Sequence, residues 1–235
     1  MPWVAGVDGC RAGWVVVLVG QQIGEQAHHI KLCASFAEIL SLSPTPTVIA
    51  IDIPIGLLDA PEPGGRECDR RARRLLGRRA SSVFTPPIRA VLEATRYDQV
   101  RAHGVSIQAF NILPKIREVD RLMTPWLQTR IHEAHPELAF RSVTGAPMQY
   151  NKKTAAGHTE RLRALSRVQG QSWRCTSRQI TNMLRTYRRV QVVVDDLLDA
   201  SILAWTALRI ANGQASRLPL DPSVDQKGLR MEIWH

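Results

Sequence analysis

The chain has 235 residues, and its 31 Lys+Arg against 21 Asp+Glu leave a formal net charge of +10. With 44% hydrophobic and 22% charged residues it can bury a core of its own, which excludes wholesale disorder and any dependence on disulfides or a structural metal. No apolar run approaches the ~18 residues of a membrane span and the start lacks a basic leader, so one soluble, cytoplasmic domain over residues 1–235 is expected.

The first fifty residues read as strands, a short helix and another strand. Trp3 to Asp8 is apolar and ends at an Asp, Gly9 to Gly13 supplies a turn, and Trp14 to Val19 is a continuous run that suits a strand buried on both faces. Ala27 to Cys33 fits a third strand. Ser35 and Glu38 have the spacing of a capping box for the helix that follows. Val48 to Ile53 is the next buried strand, interrupted by Asp52 just before Pro54.

Over residues 56–128 the character changes to Pro/Gly turns and charged helical patterns, so a helical insertion is placed after the fourth strand. Gly65 to Leu76 and Ser106 to Met123 are its predicted helices, the second broken or kinked near Pro114. Strand character returns at Arg130 to Ala134 and at Leu138 to Val143. Glu160 to Val168 and Ser177 to Arg189 carry helical periodicity, and Gln191 to Val194 is a short β-branched run. Asp195 to Ile210 has a broad apolar stripe ended by Gly213, and Leu229 to Trp234 reads as a final strand.

Four separated cysteines, Cys10, Cys33, Cys68 and Cys175, make no C-x-x-C pair and read as reduced thiols. The positive charge is mostly arginine, with seven Arg between Arg66 and Arg79. Such a segment binds polyanions or is simply a solvated helix face.

The acidic residues are the informative ones. Asp8 and Asp52 end or interrupt apolar strands, where a carboxylate needs a cation or a metal to stay ionised. Asp196 and Asp199 are three apart and share a helix face, while Asp195 suits an N-cap; for each, stabilisation of the helix start is the competing reading. In Glu133 to Glu137 (EAHPE), Glu133 and His135 face one side of a strand, and Glu137 is a ligand, a general base or a surface ion-pair partner. Asp8, Asp52, Asp196 and Asp199 together make an oxygen-only set that suits Mg²⁺ or Mn²⁺, cations able to activate water in phosphoester cleavage.

Six segments then resemble one family in the same order: GVDGCRAGW at Gly6 to Trp14, AIDIPIGL at Ala50 to Leu57, CDRRARRLLGRRASSVFTPP at Cys68 to Pro87, EAHPELAF at Glu133 to Phe140, DDLLDA at Asp195 to Ala200 and GLRMEI at Gly228 to Ile233. The chain resembles domain of unknown function 429, a family similar to the ribonuclease-H-like superfamily and described as predicted nucleases. The resemblance implies an α/β fold, with a mixed sheet whose first three strands are antiparallel and whose later strands are parallel, and an acidic site at the strand ends. In related resolvases an Asp on the first strand, an acidic residue on the fourth and a D-x-x-D pair on the last helix hold the metal, and Asp8, Asp52, Asp196 and Asp199 match those places. Asp52 stands where the resolvases commonly have Glu, a shorter side chain for metal contact.

The leading expectation is a Mg²⁺- or Mn²⁺-dependent nuclease acting on DNA or RNA. Asp8, Asp52, Asp196 and Asp199 hold the metal, Glu137 orients or deprotonates water, and Arg66, Arg73, Lys152 and Lys153 contact phosphate. Arg66, Asp69 and Arg73 stand at helical spacing, so internal ion pairing is the alternative for those arginines. The loop Ser81 to Phe84 is expected to pass near the site. The competing functions are an actin-like nucleotide-binding phosphotransferase or ATPase, suggested by Asp8-Gly9 and Arg11 to Gly13, and a non-catalytic binding protein that keeps the fold. Each leaves room for a homo-oligomer.

Overall fold

A computed structural model describes residues 2–20, 28–168, 182, 185, 186 and 191–235. Strands β1 (Trp3–Cys10) and β2 (Gly13–Gly20) form a hairpin in which Cys10 opposes Gly13. Gly13 has φ +130°, and a Cβ there would stand 2.2 Å from the Cys33 carbonyl oxygen, so the turn requires glycine. Strand β3 (His28–Cys33) pairs antiparallel with β2, while β4 (Pro46–Ile51) runs parallel to β1 and β5 (Ile131–Glu133) parallel to β4. The order is β3-β2-β1-β4-β5. This mixed sheet has the strand directions that the family resemblance implies.

The strands read as unbroken apolar runs because both faces are covered. On one face Val4, Val15, Val17, Val19 and Ala50 pack against Leu197, Ala200, Leu203, Ala204 and Ala207 of the last helix. On the other, Ala5, Val7, Val16, Leu18, Ile49 and Ile51 meet Phe36 and Ile39 of α1 (Phe36–Leu40) and Leu113, Ile116 and Val119 of a later helix.

Between β4 and β5 the chain is helical, as expected: α2 (Glu67–Leu76), a 3₁₀ turn (Gly77–Ser82), α3 (Asp98–Arg101) and α4 (Ile107–Leu122), capped by Ser106 and carrying Pro114 inside. Its final helix supplies core residues, so the segment does more than cover the surface.

After β5 the structure departs from the expected strand at Leu138 to Val143. His135 is extended, Pro136 occupies the first helical turn, and α5 (Pro136–Thr144) runs to Gly145 at φ +77°. A short buried apolar run does not distinguish helix from strand; the flanking Pro and Gly do. The expected helix at Glu160 to Val168 falls in α6 (Ala155–Arg167), whereas that at Ser177 to Arg189 lies largely outside the described residues. Gln191 to Val194 is not a strand, since Val194 begins α7 (Val194–Ala211). A two-stranded sheet, β6 (Arg217–Leu218) with β7 (Ile233–Trp234), closes the chain beside Ala134. Cys10, Cys33 and Cys68 are free thiols, and Cys175 lies outside the described residues. Among the described residues no helix is long and apolar enough to cross a membrane.

Candidate active site

The packing of α7 on β1 brings distant carboxylates together. Gly6 lies beneath α7, where a Cβ would stand 2.1 Å from both the Ala200 carbonyl oxygen and the Ala204 nitrogen. Only a residue without a side chain allows that approach, and it sets Asp199, buried in α7, over the end of β1 that carries Asp8. Asp52 follows β4 directly, and its N–H donates to the Val7 carbonyl at 3.0 Å, which keeps it beside Asp8. Asp8, Asp52 and Asp199 line one cavity of about 360 Å³, together with Glu137, Lys152 and Lys153. The expected loop from Ser81 contributes Ser81, Ser82 and Phe84 to its wall.

The cavity is electrostatically strained. Burial, followed by repulsion from Asp52 and Asp199, pushes the Asp8 carboxyl well above the ordinary range. Burial also raises Asp52, opposed by the His135 imidazole and reinforced by Asp199, and it raises Asp199 against the attraction of Lys152. Lys152 reaches in from the loop before α6 and donates from Nζ to Asp199 Oδ2 at 2.6 Å. Burial alone would lower the Lys152 pKa, but the charges of Asp199, Asp8 and Asp52 outweigh it and raise the pKa. The Asp8 Oδ1 accepts the Gly9 N–H at 2.8 Å.

A family model described as a protein of unknown function (DUF429) matches residues 6–224, almost the whole chain. The chain belongs to the DUF429 family. No curated protein and no solved structure matches it. The matched stretch of this DUF429 member contains every residue that lines the acidic cavity.

Three of the residues expected at this site are used otherwise. Asp196 turns back to the helix start, where its Oδ2 accepts the Val193 N–H at 3.1 Å, and it does not line the cavity. Burial, opposed by that hydrogen bond, lifts its pKa to about 6. Arg66 is buried between two carboxylates: Nη2 meets Asp69 at 2.7 Å and Glu133 at 2.6 Å, and Nη1 also donates to the carbonyls of Ile55 and Gly56. Its donors are occupied inside the fold, which removes it from phosphate binding. Arg73 is likewise absent from the cavity, donating to the carbonyls of Gly64 and Val83 and to Thr85 Oγ1. Glu137 lines the cavity as expected; its Oε1 is bound by Arg161 and lies 3.4 Å from Arg79 Nη2, while its Oε2 is buried without a hydrogen-bond partner.

Of the cavity residues outside the expected set, His135 and Lys115 bear most directly on the acidic cluster. His135 sits beside Asp52 with Nε2 at 3.2 Å from the Ser82 carbonyl. Because a carbonyl only accepts, Nε2 carries the proton in the neutral ring, and Nδ1, buried without a hydrogen-bond partner, presents its lone pair. The EAHPE motif carries the signal for it. Lys115 of α4 lies over the Trp14 ring, 4.4 Å from its centroid, and donates to the Gly13 carbonyl. A lone lysine in a charged helical pattern gives no such signal.

The donor chemistry of Asp8, Asp52 and Asp199 fits a hard divalent cation: oxygen ligands only, each raised in pKa by burial and by neighbouring carboxylates. Among the described residues no three Asp, Glu, His or Cys side chains form a ready-made cage. Lys152 is the local counter-charge, and its side chain is 38% exposed, so it can leave the cluster toward solvent.

Proposed function

We propose that this protein is a cytoplasmic, divalent-metal-dependent phosphodiesterase acting on nucleic acid, with a ribonuclease-H-like arrangement of its site. The observation that carries the reading is the meeting of Asp8, Asp52 and Asp199, from two strand ends and the last helix, in a single cavity where burial and neighbouring carboxylates raise their pKa values. Those three carboxylates would hold Mg²⁺ or Mn²⁺, which when bound supplies charge neutralisation at phosphorus and an activated water.

The chain's own residues account for the rest. Lys152 and the exposed Lys153 attract and orient the phosphoryl oxygens at the mouth of the acidic cavity. His135 lines the cavity beside Asp52, its ring held in orientation by the Ser82 carbonyl. Arg161 and Arg79 fix Glu137 as a wall residue. The overall charge of +10 assists the approach of a polyanion.

The test is cleavage of end-labelled DNA and RNA oligonucleotides with Mg²⁺ or Mn²⁺ present. Asp8→Asn and Asp199→Asn are expected to lose about 100-fold or more of the rate. Cleavage undiminished in both variants overturns the assignment, and divalent-cation binding without any turnover would favour a binding protein instead.

A further inference from the structure

A larger groove of about 600 Å³ lies between the end of α5 and α6. It adjoins the acidic cavity through one loop, whose Met148, Gln149 and Tyr150 line the groove while Asn151, Lys152 and Lys153 line the cavity. Both volumes fall in the ~300–1,000 Å³ range of small-ligand sites.

The groove carries Arg78, Arg163 and Arg167, all exposed, against a single acid, Glu160. Glu160 is engaged by the loop: its two oxygens accept the backbone N–H groups of Gln149 at 2.7 Å and Tyr150 at 3.0 Å. The Tyr150 carbonyl in turn accepts Arg161 Nη1 at 3.3 Å. The backbone of Tyr150 is therefore pinned from both sides while the residue stays 50% exposed at the groove. Arg78 donates from Nη2 to the Pro147 carbonyl at 3.3 Å, which holds it at the groove. A half-exposed aromatic on a fixed backbone, flanked by exposed guanidinium groups, is the combination that binds an unpaired base and its neighbouring phosphates.

We propose that this groove binds the stretch of a single-stranded polynucleotide next to the phosphodiester in the acidic cavity, with a base stacked on Tyr150 and phosphates on Arg78, Arg163 and Arg167. The inference rests on the phosphodiesterase reading and narrows its substrate to a single strand several nucleotides long. A duplex offers no free base face to Tyr150.

Binding can be measured apart from catalysis, by fluorescence anisotropy of labelled twelve-residue dT and U oligomers in EDTA, against a duplex of the same length. The single strands are expected to bind about tenfold more tightly than the duplex, with Tyr150→Ala costing about tenfold in affinity and Tyr150→Phe costing little. Arg163→Gln is expected to weaken binding and reduce its salt dependence by roughly one phosphate contact. Equal affinity for duplex and single strand, or Tyr150→Ala binding like the unsubstituted protein, overturns the inference. Metal-dependent hydrolysis of bis(p-nitrophenyl) phosphate by the unsubstituted protein reports on the acidic cavity alone: if it occurs while oligomer binding fails to respond to Tyr150→Ala, the groove proposal falls and the phosphodiesterase reading stands.

Discussion

Lys152 Nζ donates to Asp199 Oδ2 at 2.6 Å, joining residues 47 apart in sequence and placing an ammonium group against a buried acidic cluster. Removing it leaves Asp8, Asp52 and Asp199 without their nearest mobile counter-charge. Breaking a fully buried pair costs about 3–5 kcal/mol, and the partial exposure of Lys152 reduces this, so Lys152→Met is expected to destabilise the metal-free protein by about 1–3 kcal/mol. Mg²⁺ should restore the loss and bind the variant more tightly than the unsubstituted protein. Thermal denaturation with and without Mg²⁺ measures both effects; an unchanged metal-free melting temperature contradicts the role given to Lys152.

The same cluster sets a pH dependence. Burial and mutual repulsion raise the folded-state pKa values of Asp8, Asp52 and Asp199, and burial lifts Asp196 to about 6 from its ordinary 3.8. A carboxyl with a raised folded pKa holds its proton more tightly in the folded chain. Its contribution is fully present below the unfolded pKa and is lost as pH rises through the folded one. Without metal, Asp196→Asn should therefore gain stability relative to the unsubstituted protein between about pH 4 and 6.5. The paired comparison cancels His132, whose burial lowers its pKa to about 4 and whose contribution has the opposite slope. A difference in melting temperature that is flat over this range refutes the prediction.

Much of the site was legible because burial makes charge conspicuous. Asp8 and Asp52 end apolar strand runs and Asp199 lies within an apolar helical stripe, so each announced an environment that a carboxylate tolerates only with a partner. Asp196 has the same composition signal but stands in the first helical turn, where the Val193 N–H claims it. Arg66 and Glu137 were opaque for another reason: their partners, Glu133 and Arg161, are supplied by other elements, and no local spacing reveals them. The sheet was readable from its unbroken β-branched runs. The helix at Pro136 is marked only by its flanking Pro136 and Gly145, because its apolar stretch is as short as a strand.

Arg66 gives a direct check on that distinction. Lysine at this position keeps the charge but cannot span Asp69, Glu133 and two carbonyls at once. Arg66→Lys is expected to lose about 2–4 kcal/mol in urea denaturation while leaving oligonucleotide affinity unchanged where the variant is folded. A selective loss of affinity without loss of stability would return Arg66 to the substrate.

Gly6 links packing to chemistry. A methyl group there meets the α7 backbone at 2.1 Å, which rotamer changes cannot relieve. Gly6→Ala is expected to cost about 3 kcal/mol and to move Asp199 away from Asp8, weakening Mn²⁺ binding in whatever fraction remains folded. Wild-type stability and metal affinity together would show that α7 does not set the cluster.

The most direct measurement is anomalous diffraction from crystals soaked in Mn²⁺. The account predicts one or two strong peaks among the carboxylates of Asp8, Asp52 and Asp199, with Lys152 Nζ displaced from Asp199. Crystals that diffract well after soaking, show no peak in that cavity and keep Lys152 bonded to Asp199 would contradict it.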